Sequence, residues 1–189
     1  MLAFERAFQA VAALGLNGAN KQLAAHWLSR WRGDAPPTRA SFKMDEVWEH
    51  SPAIALFKIV KDESVRCLSA GSFHKLALGY DMTGEDILSI TSADERERRM
   101  AWCWEIAQGA VTVSYRRYET AGQSTGLAQG MSLPFSDRDA DGARYFLMHS
   151  NWRPVGSEWV IGNVQADAQT PPERRIISFR GERALDTAA

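Results

Sequence analysis

The feature that most narrows the fold is a change of period near residue 110. From there the chain reads AVTVSYRRY, GLAQGMSLPF and ARYFLMHSNW, three runs whose side chains change character at every step. Val111, Val113 and Tyr115 alternate with Thr112, Ser114 and Arg116, while Leu127, Gln129, Met131, Leu133 and Phe135 share one face of the second run. Successive strand side chains point to opposite faces of a sheet, so these runs predict strands. The links between them, 120–125 and 136–142, are short and rich in turn formers. Three strands so joined form an antiparallel meander, because a parallel pair needs a longer crossover.

Upstream the period is helical. SADERERRMAWCWEIAQG predicts a helix with Ser92 and Glu95 spaced as a capping box and Gly109 where a C′ glycine sits. Asp94/Arg98 and Glu95/Arg99 lie at i,i+4 along it. Before that helix, AIALFKIV (53–60) and VRCLSAG (65–71) flank the polar turn KDES and predict a hairpin. Residues 72–91 predict short helices punctuated by Gly79 and Gly84, with Thr83 capping the second of them.

At the N-terminus, Leu2, Phe4, Ala7, Phe8, Val11 and Leu14 recur near helical spacing until Gly15 and Gly18. Asn20 then reads as the N-cap of KQLAAHWLSRW, which Gly33 and Pro36-Pro37 end. A short helical turn starts near Asp45 and stops before Pro52. The expected fold class is α+β: helices, a hairpin, a helical crossover over 72–108, then three strands of a five-stranded antiparallel sheet. The expected divisions are a helical extension at 1–33, a core domain at 34–154 and a tail at 155–189.

Composition bounds the partners. The net charge of -1 supplies no global field toward nucleic acid or an anionic membrane, and neither is expected as a partner. No run approaches the eighteen or so apolar residues of a membrane span. MLAFERAFQAVAALGL lacks a basic leading region and is broken by Glu5 and Gln9, so an amphipathic helix and a cytoplasmic address are expected. Cys67 and Cys103 are far apart with no CxxC, which predicts buried free thiols. The seven tryptophans follow no fixed period, against a repeat protein.

AAHWLSRWRGDAPPTRASF, the strand end Leu68-Ser69-Ala70-Gly71 and GYDMTGEDIL together resemble a bacterial family of stand-alone single PAS domain proteins. The resemblance covers roughly 23–153 and rests on Trp27, Pro37, Arg39, Gly71, Gly79, Asp81, Thr83 and Gly84. His26 stands where the family helix shows a tyrosine. The resemblance implies a PAS fold, with helices over one face of the five-stranded sheet. It also implies a sensory or regulatory role in signal transduction, through a small apolar or cofactor ligand, a protein partner such as a histidine kinase, or both. An adaptor with no ligand, or a small enzyme using the cavity, are the rival readings.

Catalytic signatures are lacking: no nucleophile elbow, Walker loop or HExxH occurs, and no enzyme is expected. A haem-binding PAS domain needs an axial histidine, for which His74 is nearest by position. A flavin photosensor needs a cysteine in the crossover helices, and 72–91 has none. DRDADG resembles the start of a calcium loop, but Met148 stands where a bidentate glutamate belongs, so a plain turn is expected and no metal. Phe57, Trp102, Tyr115, Met131, Leu133 and Met148 are the candidates to line a ligand cavity, and equally to fill a dry core. The cofactor stays open. The stripe Leu2 to Leu14 has no partner in such a sheet, which predicts a homodimer paired through the first helix.

Overall fold

The alternation of the second half becomes a sheet, and the parity of each strand decides which helices cover it. In the computed structural model the described residues are 3–33, 35–120, 125–154, 164–166 and 173–178. Strands β1 (Ile54–Val60), β2 (Ser64–Ala70), β3 (Ala110–Thr120), β4 (Thr125–Arg138) and β5 (Arg144–Pro154) are joined antiparallel in the order β2-β1-β5-β4-β3. The architecture is thus α+β around an antiparallel sheet.

The five expected strands are present, and among the described residues two more extend the sheet. β6 (Val164–Ala166) and β7 (Glu173–Ser178), from the segment expected as a tail, both pair with the outer edge of β3. β7 runs beside Ala110–Tyr115 and β6 beside Tyr118–Thr120. An unpaired edge is a row of open donors and acceptors, and β6 and β7 cover that of β3.

The helices are α1 (Ala3–Ala13), α2 (Gly18–Ser29), α3 (Ser72–Leu78) and α4 (Ala93–Ala107), with a 3₁₀ segment at Met44–Ala53. Four local expectations need correction. The N-cap of α2 is Asn17, not Asn20: its backbone is extended at φ -73° and its side chain accepts from the Asn20 N–H at 3.2 Å. Asn20 lies one turn inside and is fully buried. Ser92 makes no side-chain cap bond, and Glu95 pairs with Arg98 at i,i+3 instead of reaching back. Thr83 caps no helix, because 79–91 is a chain of turns. The 3₁₀ segment also runs through Pro52 instead of stopping before it.

Helices lie on both faces of the sheet, not one. Ala7, Val11 and Leu14 of α1 and Leu23, Trp27 and Leu28 of α2 pack on Ile54, Val111, Val113, Met131, Leu133 and Leu147. The opposite face holds Ala55, Phe57, Ile59, Val65, Cys67 and Phe146 against Cys103, Ile106 and Ala107 of α4 and the loop residues Met82, Ile87 and Leu88. Trp27 is buried completely, and its Nε1–H donates to the Pro134 carbonyl at 2.9 Å. The joint after α2 is stitched to the end of β4: Ser136 N–H donates to Pro37 O at 3.0 Å and Arg39 N–H to Asp137 Oδ2 at 2.6 Å.

Candidate functional site

The six cavity candidates divide between the two faces. Phe57, Met148 and Trp102 belong to the crossover side, whereas Tyr115, Met131 and Leu133 lie under α1 and α2. No single cavity holds all six. Alternation had put Tyr115, Met131 and Leu133 on one face correctly, but the helices covering that face are the N-terminal pair. Trp102 and Trp104 are both half-buried flanks of α4, and Cys103 between them is the residue that meets the sheet.

The opposite parity shows what does face the crossover. Thr112 pairs with Ser132 and Ser132 with Met148; one row on, Ser114 pairs with Gly130 and Gly130 with Ser150. These small polar residues make a floor across β3, β4 and β5, with Ser114 and Gly130 half-buried. Gly130 lies in close approach to this floor: a Cβ there would stand 2.8 Å from Ser114 Oγ, which would have to rotate away. Sequence reasoning passed over this floor by following the large apolar side chains, although the even positions of AVTVS and QGMS were the available signal. His74 is buried on α3, and its Nε2 lies 2.9 Å from the Ala53 carbonyl oxygen. Burial lowers its pKa, only partly offset by that bond. The nitrogen that an axial haem ligand would offer is therefore already engaged by the backbone. Cys67 is a buried thiol pushed up to about 11 by burial, far from a reactive thiolate.

The glycine-rich crossover segment proves to be an edge cover for β2. Gly79 ends α3 in the left-handed conformation, φ +79°, with its N–H on Lys75 O at 2.9 Å. Asp81 Oδ1 accepts from Thr83 N–H at 3.0 Å, an Asx turn that also holds the carboxyl below its usual range. Thr83 Oγ1 accepts from Ala70 N–H, Glu85 O from Cys67 N–H, and Val65 O takes the Ile87 N–H. Gly84, φ +87°, gives its own N–H to Cys67 O at 2.8 Å, and Asp86 Oδ1 accepts from Val65 N–H at 3.0 Å. Each outward group of β2 named here thus finds a partner in 83–87, which protects a strand otherwise open to foreign pairing.

A buried polar seam crosses the other, apolar face. Asn20 Nδ2 donates to Gln129 Oε1 at 2.8 Å and to Gln129 O at 3.1 Å. Gln129 Oε1 also accepts from Asn17 N–H, and its Nε2 donates to Tyr115 Oη at 2.8 Å and Gly15 O at 3.2 Å. His149 Nδ1 lies 2.6 Å from Asn20 Oδ1, and its ring meets His50 edge-on at 5.7 Å. One glutamine of β4 thereby holds the α1–α2 turn. Burial, followed by His50 and His74, lowers the His149 pKa from 6.5 to about 4.

The DRDADG turn carries an internal cation. Lys58 Nζ sits 2.9 Å from Asp139 Oδ2 and 3.1 Å from Asp141 Oδ2, where a calcium loop would gather its ion. Asp139 also takes the Tyr145 hydroxyl proton in a hydrogen bond, and the Arg39 guanidinium lies 3.3 Å above the Tyr145 ring. Among the described residues no cluster of three or more His, Cys, Asp or Glu is arranged to hold a metal. No described helix is long and apolar enough to cross a membrane.

Outside α4 there is an open groove of about 930 Å³ with Leu88, Met100 and Trp104 among its apolar lining residues and Lys61, Arg96 and Glu97 among its charged ones. None of the six cavity candidates lines it. No known family model and no curated protein matches this chain.

Proposed function

We propose that this chain is a PAS-type sensory or regulatory module of signal transduction, with the floor of Ser114, Gly130, Ser132 and Ser150 as the place where a small ligand rests. The observation that carries this reading is the strand order β2-β1-β5-β4-β3 with residues 71–109, α3 and α4 among them, inserted between β2 and β3. Within that insertion α4 packs through Cys103, Ile106 and Ala107 on the side of the sheet that carries the small polar floor. A floor of hydroxyls and a glycine suits a ligand with polar groups better than the purely apolar one the six large residues implied.

A second reading, an adaptor without ligand, is favoured by the dense packing at the β1 end. There Phe57 stacks on Phe146 with ring centres 5.0 Å apart and planes 16° from parallel. Native mass spectrometry and an absorption spectrum of protein purified from its own host separate the two. A retained small molecule lost on Gly130→Val supports the sensor; bare protein in every preparation, with a signalling protein co-purifying, supports the adaptor and removes the ligand floor.

A further inference from the structure

The face under α1 and α2 is mostly apolar, and the polar seam that crosses it contains a buried titratable group. His149 is 2% exposed on β5, with Ile54 and Met131 as its cross-strand neighbours. Asn20 uses its Nδ2 as a donor to Gln129, so its Oδ1 is the acceptor toward His149 and the Nδ1 of His149 carries the proton. The neutral ring therefore keeps Nε2 as its free base, and acid adds a proton there.

We propose that the Asn20–Gln129–His149 seam is an acid-labile latch, in which protonation of His149 releases α1 and α2 from the sheet. The groups facing His149 explain the direction. From α2 it meets the uncharged Asn20, and through it Gln129 of β4. From the 3₁₀ segment it meets His50, whose Nε2 lies 3.5 Å from Glu49 Oε1 on the solvent side. From α3, His74 acts on it electrostatically with the same sign as His50. A charge on His149 thus finds an amide and two further imidazoles, and no carboxylate is among these neighbours. In the released state the same imidazolium is hydrated.

The linkage sets the size and the window. The closed state holds His149 at about 4 and the released state returns it toward 6.5. The contribution to closure is complete above pH 6.5 and falls as acid carries the solution toward pH 4. From pH 7 to pH 5 the ratio of released to closed molecules rises about 20-fold. Apolar packing by Val11, Leu14, Leu23 and Trp27 still opposes release, so the open form is a minor population.

Hydrogen exchange on the full chain reads that population. At pH 7 and pH 5, with intrinsic amide rates divided out, α2 should lose about 20-fold protection while α4, on the opposite face, changes by no more than about threefold. His149→Gln should bring α2 down to the small change of α4. Asn20→Asp places a carboxylate against the ring and should reverse the sign, so that acidification toward pH 6 tightens α2; this slope is readable even if His149→Gln folds poorly. Equal losses in α2 and α4, a loss confined to α2 that survives His149→Gln, or an unchanged slope in Asn20→Asp overturns the latch.

Discussion

Alanine at Gly71 and at Gly84 tests two different costs within one short motif. Gly71 has φ -64° and ψ 159°, a conformation open to any residue, so its backbone gives no reason for glycine. The reason is space. A Cβ there would stand 2.2 Å from Ser51 O and 2.3 Å from Pro52 O, well under the 3.0 Å that real Cβ contacts respect. Both obstacles are backbone atoms of the 3₁₀ segment, so no side chain can rotate away. Relief requires the end of β2 to part from that segment, which strains the Gly71 N–H bond to Ile54 O at 2.8 Å and the His74 contact with Ala53. We expect Gly71→Ala to cost about 3 kcal/mol or more, the upper part of the overpacking range.

At Gly84 the same methyl meets nothing within 4 Å, and the whole cost lies in φ +87°. A left-handed backbone costs an L-residue about 1–2 kcal/mol. In a chain of 189 residues each kcal/mol moves the melting temperature by about 2–4 °C. Calorimetry should therefore rank Gly71→Ala below Gly84→Ala, by about 6 °C or more against about 2–8 °C from wild type. Asparagine tolerates the left-handed region, so Gly84→Asn should cost less than Gly84→Ala, whereas Gly71→Asn should gain nothing over Gly71→Ala. A Gly71→Ala protein that melts with wild type, or a Gly84→Asn less stable than Gly84→Ala, refutes this division of causes.

Gln129→Leu removes the side-chain amide that bonds the Asn17 N–H, Asn20 Nδ2 and the Gly15 carbonyl, and urea unfolding should show a loss of about 3 kcal/mol or more. Trp27→Phe keeps most of the ring but leaves Pro134 O unpaired, which should cost about 1–3 kcal/mol by the same measurement. Lys58→Met should raise the Asp139 carboxyl toward its ordinary range, as seen by NMR titration. The Tyr145 bond, the largest cause, and then Lys58 now hold it low, so its stabilising effect is present at neutral pH and lost on acidification below the carboxylate range.

The sheet was legible because its signal is local. Val111-Thr112-Val113 and Leu133-Pro134-Phe135 declare two faces whatever covers them. What covers them is a long-range choice, and Met131 cannot say whether a crossover helix or an N-terminal helix will meet it. The same limit hid the floor: Ser114, Gly130 and Ser150 lie on different strands and become neighbours only through register. Asn20 was expected to cap α2 and Asn17 does so, because local propensity does not separate two asparagines. The decision comes from Gln129, more than a hundred residues away, which pulls Asn20 inward and takes the Asn17 N–H. The Ser92 box failed for a different reason. Spacing alone satisfied the motif, while Arg98 offered Glu95 a charged partner at 2.6 Å.

The apolar stripe of the first helix was expected to join two copies, and the fold uses half of it inside one chain, while Leu2 lies outside the described residues. Ala7, Val11 and Leu14 are buried against the molecule's own sheet, so they cannot also face a partner. Among the described residues of α1, Phe4 at 40% exposure and Phe8 at 56% remain outside, one turn apart on the same side. A phenylalanine presents about 150–250 Å² when fully available, so the two together offer roughly 200 Å² per copy. Stable interfaces bury about 800 Å² per partner. Helix α1 alone is therefore too small a contact, and the full chain should sediment as a monomer at low micromolar concentration if α1 is its only self-contact. Phe4→Ser with Phe8→Ser should leave sedimentation and melting unchanged, while Val11→Asp should unfold the N-terminal layer by burying an unpaired charge. A dimer that the two serines dissociate would overturn this account of α1 and restore the helix as an interface between copies.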